Sequence, residues 1–182
     1  MEFECLSIPD VVLITPKVHG DERGFFMETF RHTEFTKHCG EYIFVQDNHS
    51  RSRHGVLRGL HFQLQNPQGK LIQVTQGEVF DVAVDLRQHS DTFGAWVGVV
   101  LSDKNRKMLW VPPGFAHGFY VISEAAEFHY KCTDYYAPHD EHSLKWDDAR
   151  VGISWPLSAN QVPILSEKDR AGLPLESVAV FA

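Results

Sequence analysis

The chain has 182 residues, 43% of them hydrophobic, and a formal charge of −7 at neutral pH. That size and make-up suit one domain spanning 1–182 with enough apolar side chains for a full core. The acidic balance, without a basic stripe, argues against a nucleic-acid partner, and no apolar run is long enough to cross a bilayer.

The first residues, Met1-Glu-Phe-Glu-Cys5, lack the basic and then apolar stretches of a signal peptide. Cys5, Cys39 and Cys132 are odd in number and widely spaced, which fits free thiols in a reducing compartment. The expected location is therefore cytoplasmic.

In chain order, His32 to His38 reads as one short helix. Strands follow at Lys70 to Thr75 and Val79 to Leu86, with the Gln76-Gly77 turn between them. In the second strand Phe80, Val82, Val84 and Leu86 share one face, and Asp81, Ala83 and Asp85 share the other. Further strands are expected at Ala95–Leu101, Leu109–Val111, Phe119–Ile122 and Phe128–Cys132, with turns at 102–105 and 112–114. Near the end, Ser166-Glu-Lys-Asp169 matches a capping box and opens a second short helix over 166–171. Helix is scarce, so the fold class is all-β, a sandwich or barrel in which inward positions alternate with outward ones.

Two motifs sharpen this. Gly55-Val-Leu-Arg-Gly-Leu-His-Phe-Gln63 and Pro112-Pro-Gly-Phe-Ala-His-Gly118 resemble the two-part signature of the cupin-type jelly roll, a double-stranded β-helix barrel. The metal-binding form has a second His where this chain has Gln63, then a Glu where it has Asn66-Pro-Gln68. A transition metal needs three or four N, O or S ligands at set spacing, and this pattern does not supply them. The expectation is no metal and acid–base chemistry by side chains.

Four residues are candidates for that chemistry. His61 shares its strand face with Gly59 and Gln63, and an imidazole facing a barrel interior exchanges protons near neutral pH. A satisfied core histidine is the plainer alternative. Lys70, on the Ile72/Val74 face and near a barrel mouth, suits an oxyanion stabiliser or a solvated edge lysine. Tyr130 suits a general acid or a packing tyrosine. Asp169 either caps its helix or orients His61 through a hydrogen bond to the imidazole. Arg23, in the loop Gly20-Asp-Glu-Arg-Gly24, and Arg58, beside His61, have the geometry for phosphate. Tyr135-Tyr-Ala-Pro138 offers a flat face for a base or sugar, or a packed turn.

Read together, these runs resemble the dTDP-4-dehydrorhamnose 3,5-epimerase family of the dTDP-L-rhamnose pathway. The matching segments are Asp21-Glu-Arg-Gly-Phe-Phe26, Gln46-Asp-Asn-His-Ser50, 55–63, Gly69-Lys-Leu71, 77–87, Ser90-Asp-Thr-Phe-Gly94, 112–119, 130–138, Trp146-Asp-Asp148 and Leu165-Ser-Glu-Lys-Asp169. They lie in order along nearly the whole chain.

The resemblance implies a homodimer, no metal or organic cofactor, and a dTDP-sugar nucleotide substrate, dTDP-4-dehydro-6-deoxy-D-glucose, inverted at C3 and C5. It makes His61 the base with Asp169 as its partner, Tyr130 the acid, and Lys70 the stabiliser of the enolate at O4. It assigns substrate contacts to Arg23, Glu28, Gln46, Asn48, Arg58, His117, Glu141 and Lys168, and thymine stacking to Tyr136. It also implies that Arg23 and Glu28 complete the site across a dimer interface. A single 3- or 5-epimerase of a related keto-deoxysugar, a metal-dependent cupin enzyme and a non-catalytic nucleotide-sugar binder are the rival readings.

Overall fold

Alternating side chains become two facing sheets in the computed structural model, which describes residues 1–158 and 161–182. The first half supplies β1 (Glu2–Cys5), β2 (Val12–Thr15), β3 (Val18–Asp21), β4 (Gly24–Met27), α1 (His32–Cys39), β5 (Gln46–Arg53), β6 (Leu57–Gln63) and β7 (Lys70–Gln76). The second supplies β8 (Glu78–Asp85), β9 (Trp96–Ser102), β10 (Met108–Val111), β11 (Phe115–Val121), β12 (Ala125–Cys132), β13 (Glu141–Ser143) and α2 (Glu167–Arg170). One sheet runs β1-β2-β10-β7-β12-β5 and the other β13-β6-β11-β8-β9, while β3 and β4 form a separate hairpin. The named strand pairings are antiparallel, and the architecture is the expected cupin-type jelly roll.

Three apolar layers hold the sheets. Between them lie Ile72, Val74, Leu109 and Phe128 from one sheet and Val79, Ala83, Leu101 and Phe119 from the other. Outside the five-stranded sheet, Leu60, Phe62, Val82 and Val84 are covered by Val151, Leu175 and Val178 of the C-terminal segment. Outside the six-stranded sheet, α1 lays Phe35 against Trp110, Leu71 and Met108. Trp110 and Phe35 meet edge to face, with centroids 4.9 Å apart. Such burial on both faces is the main source of stability in a β barrel of this size.

The alternation in β8 therefore has an instructive polarity. Its apolar row, Phe80, Val82 and Val84, faces outward under the C-terminal segment. The other row carries Val79, Ala83 and the fully buried Asp81 into the barrel. The strand expected at 119–122 begins earlier, at Phe115, so His117 sits within β11 rather than ahead of it. Both helices fall where expected, and α2 carries the capping box.

Candidate active site

A cavity of about 400 Å³ opens between the sheets. One wall is β6 and β11, which present Arg58, His61 and His117; the other is β5, β7 and β12, which present Gln46, Asn48, Ser50, Lys70 and Tyr130. Tyr136, Glu141, Lys168 and Asp169 complete the lining from loops, β13 and α2. Eleven of the thirteen residues singled out from sequence thus meet in one place, the exceptions being Arg23 and Glu28.

The β6–β11 wall depends on close backbone approach. Gly59 has φ near +125°, and a Cβ there would lie 2.6 Å from the Gly118 Cα and 2.8 Å from the His117 carbonyl. The register of β11 against β6 shifts between His117 and Phe119, around Gly118. Glycine at both positions brings the strands together and leaves His61 opposite His117 on the cavity face.

His61 Nε2 lies 2.8 Å from Asp169 Oδ1. The oxygen stands off the line of the ring N–H, so the contact is short but poorly aligned for a hydrogen bond. The Asp169 side chain is only 4% exposed. Its Oδ1 also accepts from the Gly59 backbone N–H at 3.0 Å, and Oδ2 accepts from Ser166 N at 3.0 Å and Ser166 Oγ at 2.6 Å. The cap and the histidine partner proposed as alternatives from sequence are both present, one on each oxygen. The contact with His61 and the hydrogen bonds from Ser166 and Gly59 outweigh burial and hold this carboxyl well below the usual carboxylate range. Burial is the largest influence on His61 and depresses its proton affinity; Lys168 adds to this, while Asp169 and Glu141 oppose it. The net direction is down, which leaves a neutral imidazole near neutral pH.

Lys70 opens β7, the strand start expected of it, and the alternative of a solvated edge lysine falls away: β7 is an interior strand between β10 and β12, and the side chain is 9% exposed. No carboxylate lies within 4.0 Å of it among the described residues. Burial lowers its proton affinity, and Cys132, Glu141 and Asp81 act in the opposite direction. Tyr130 stands on the same sheet, facing His61 across the cavity. Burial raises its pKa, so the phenol keeps its proton, while Arg58 favours the phenolate. Arg58 is itself oriented by a 3.0 Å hydrogen bond from Nε to Ser52 Oγ.

At the rim, Glu141 accepts a 2.7 Å hydrogen bond from the Tyr136 hydroxyl and pairs with Lys168. That bond is the main reason the phenol of Tyr136 is pushed up to about 12. Gln46 donates to Asn48 Oδ1 at 3.0 Å and accepts from Tyr136 N at 2.9 Å, so the rim and the β5 wall are tied together. Arg23 and Glu28 lie elsewhere: Arg23 pairs with Asp21 on the β3–β4 hairpin, and Glu28 pairs with Arg31.

Sequence reasoning missed three supporting residues. Gln63, at the position of the absent metal ligand, donates to the carbonyls of Asn66 and Tyr135 and accepts from Ala137 N at 2.8 Å, so it clamps the loop carrying Tyr136. Asp140 gathers the backbone N–H groups of Leu64, Gln65 and Asn66. Asp81 accepts from His117 Nε2 at 2.9 Å and is 0% exposed. Its signal in the sequence was an acidic residue inside a strongly alternating strand. Among the described residues, no group of three or more His, Cys, Asp or Glu side chains is placed to hold a metal ion.

Comparison with known proteins gives a consistent answer. Residues 5–177 match the family model described as dTDP-4-dehydrorhamnose 3,5-epimerase. The dTDP-4-dehydrorhamnose 3,5-epimerase of Pseudomonas aeruginosa is 57% identical over 173 residues, covering 94% of each chain. That of Salmonella typhimurium is 57% identical over 167 residues, covering 91% of this chain and 90% of its own. The crystal structure of the Legionella pneumophila dTDP-6-deoxy-D-glucose-3,5-epimerase, in complex with dTDP-4-keto-L-rhamnose, superposes with a TM-score of 0.93 at 52% identity, covering 97% of this chain and 93% of that one. The chain belongs to the dTDP-4-dehydrorhamnose 3,5-epimerase family.

Proposed function

We propose that the chain epimerises dTDP-4-dehydro-6-deoxy-D-glucose at C3 and C5, giving dTDP-4-dehydro-L-rhamnose. The observation that carries this reading is the placement of His61 and Tyr130 on opposite walls of one cavity, with Lys70 buried between the sheets.

The C4 ketone acidifies the neighbouring C–H bonds, yet they stay far weaker acids than imidazolium, and each pK unit of that gap costs about 1.4 kcal/mol. A base alone is therefore insufficient. In the proposed reaction His61 takes the proton, and the C–H electron pair moves onto O4 as an enolate. Asp169 supports the imidazolium that forms. The Lys70 ammonium meets the new charge on O4 in a site that excludes most water, where such stabilisation is strongest. Collapse of the enolate draws a proton from the Tyr130 hydroxyl onto the opposite face, inverting the carbon. Arg58 lowers the cost of the resulting phenolate. The proton balance is restored through solvent.

The remaining roles follow the resemblance. Tyr136 stacks on thymine, and Gln46, Asn48, Arg58, His117, Glu141 and Lys168 contact substrate. Arg23 and Glu28 act across a homodimer interface. In support, the β3–β4 hairpin displays Phe25 at 58% and Phe26 at 71% exposure, a larger apolar display than a solvated hairpin needs. The free thiols of Cys5, Cys39 and Cys132 fit a cytoplasmic enzyme.

Turnover in deuterium oxide, read by proton NMR of the product, tests the reaction. Deuterium at both C3 and C5 supports double epimerisation; deuterium at one carbon rejects it in favour of a single epimerase.

A further inference from the structure

The barrel interior holds a buried carboxylate, Asp81, for which the mechanism above has no use. Asp81 points into the barrel from β8 and is 0% exposed. Its Oδ1 accepts from His117 Nε2 at 2.9 Å, while Oδ2 is buried with no hydrogen-bond partner. A half-satisfied carboxylate in such a place costs stability unless another charge compensates it. Lys70 is the matching anomaly, a buried ammonium without a carboxylate within 4.0 Å among the described residues. The two come from opposite sheets; Lys70 lines the cavity, and Asp81 is bonded to His117, which lines it too.

We propose that Asp81 is a positioning residue of this site: its sealed carboxylate accepts the ring N–H of His117 on one side, and its charge helps hold the Lys70 ammonium on the other. This rests on the reading of Lys70 as the enolate's partner. With Nε2–H committed to Asp81, His117 turns Nδ1 to the cavity as an acceptor for a substrate hydroxyl. Without a counter-charge, burial would drive Lys70 toward the neutral amine, which cannot stabilise an oxyanion.

The groups that share this field come from every neighbouring element. Cys132 on β12 and Glu141 on β13 act on Lys70 in the same direction as Asp81, and Lys168 on α2 acts against it. Burial raises the Asp81 pKa, while His117 and Lys70 pull it back. Asp81 and Lys70 thus bias one another's protonation.

Asp81→Asn separates charge from shape, because its amide oxygen still accepts from His117. With ¹³Cε-labelled lysine, and Lys70→Met to assign the signal, the Lys70 titration midpoint should fall by about one unit or more in Asp81→Asn. The alkaline limb of kcat should move to lower pH with it. A midpoint within about 0.3 units of wild type overturns the proposal, even if activity is lost, since that pattern marks a merely structural residue. A second readout needs no variant: the Asp81 carboxyl carbon of the wild-type protein should report an ionised group at neutral pH, and a protonated one overturns the proposal. Neither NMR readout depends on turnover. A wild type that fails to epimerise would therefore sink the functional reading while leaving this test intact.

Discussion

Asp169 offers one carboxylate oxygen to His61 at 2.8 Å and uses the other to close the N-terminus of α2 through Ser166. A fold-stabilising cap and a catalytic partner are therefore one group, and the two roles separate by mutation. Asp169→Asn should lower kcat about 100-fold or more by weakening support for the imidazolium, and lower stability by about 1 kcal/mol or more through the cap. Ser166→Ala should cost a similar amount of stability, about 1 kcal/mol, with less than about a tenfold change in kcat. Denaturant titration beside steady-state kinetics distinguishes them; equal losses of activity in the two variants would contradict this division.

The state of His61 sets the acid side of the pH profile. Its pKa lies below the ordinary imidazole value of 6.5, chiefly through burial. The reaction needs the neutral ring, so activity persists to lower pH than an exposed histidine would allow and is lost as pH falls through the depressed value. The acid limb of kcat/KM is expected below pH 6.5. A limb above that value would contradict the burial-dominated site.

Lys70→Met keeps the length of the stem and removes the charge. kcat should fall about 100-fold to 1,000-fold, the scale of a lost oxyanion donor. The melting temperature should fall only slightly, because a thioether is easier to bury than an ammonium while Asp81 loses part of its compensating charge. A large loss of stability would mean that Lys70 serves the fold.

At the rim, Tyr136→Ala should raise KM for the sugar nucleotide by about tenfold with kcat nearly unchanged, by loss of stacking. Tyr136→Phe should stay within about threefold of wild type, since the ring remains and only the bond to Glu141 is lost. Inhibition by dTDP provides the independent affinity.

Gly59→Ala is the structural counterpart. The new methyl would meet the Gly118 Cα at 2.6 Å in a backbone conformation that favours glycine. The variant should lose about 3 kcal/mol or more, or fail to fold. Near-wild-type melting would show that the β6–β11 wall can relax.

What the sequence revealed depended on apolar alternation. β7, β8, β9, β10 and β12 carry enough of it to be read, and the capping box at Ser166 marked α2. β5 was missed because Gln46–Arg53 holds no apolar side chain; its inward residues Gln46, Asn48 and Ser50 are the polar wall of the cavity. The same reason hid Asp81: in β8 the apolar row faces outward beneath the C-terminal segment, and the acidic row is the interior one. His61, Tyr130 and Asp169 were reachable as candidates from their strand faces and cap, but only the family resemblance, and not the local pattern, implied their convergence. It comes from long-range pairing of β6 with β11 and β7 with β12, which local pattern does not encode.

The account turns on base and acid working from opposite sheets. Deuterium wash-in at C3 and C5, followed in wild type, His61→Asn and Tyr130→Phe, tests this most directly. The expected result is no exchange in His61→Asn, and exchange without net inversion in Tyr130→Phe. Continued exchange in His61→Asn, or normal inversion in Tyr130→Phe, would contradict it.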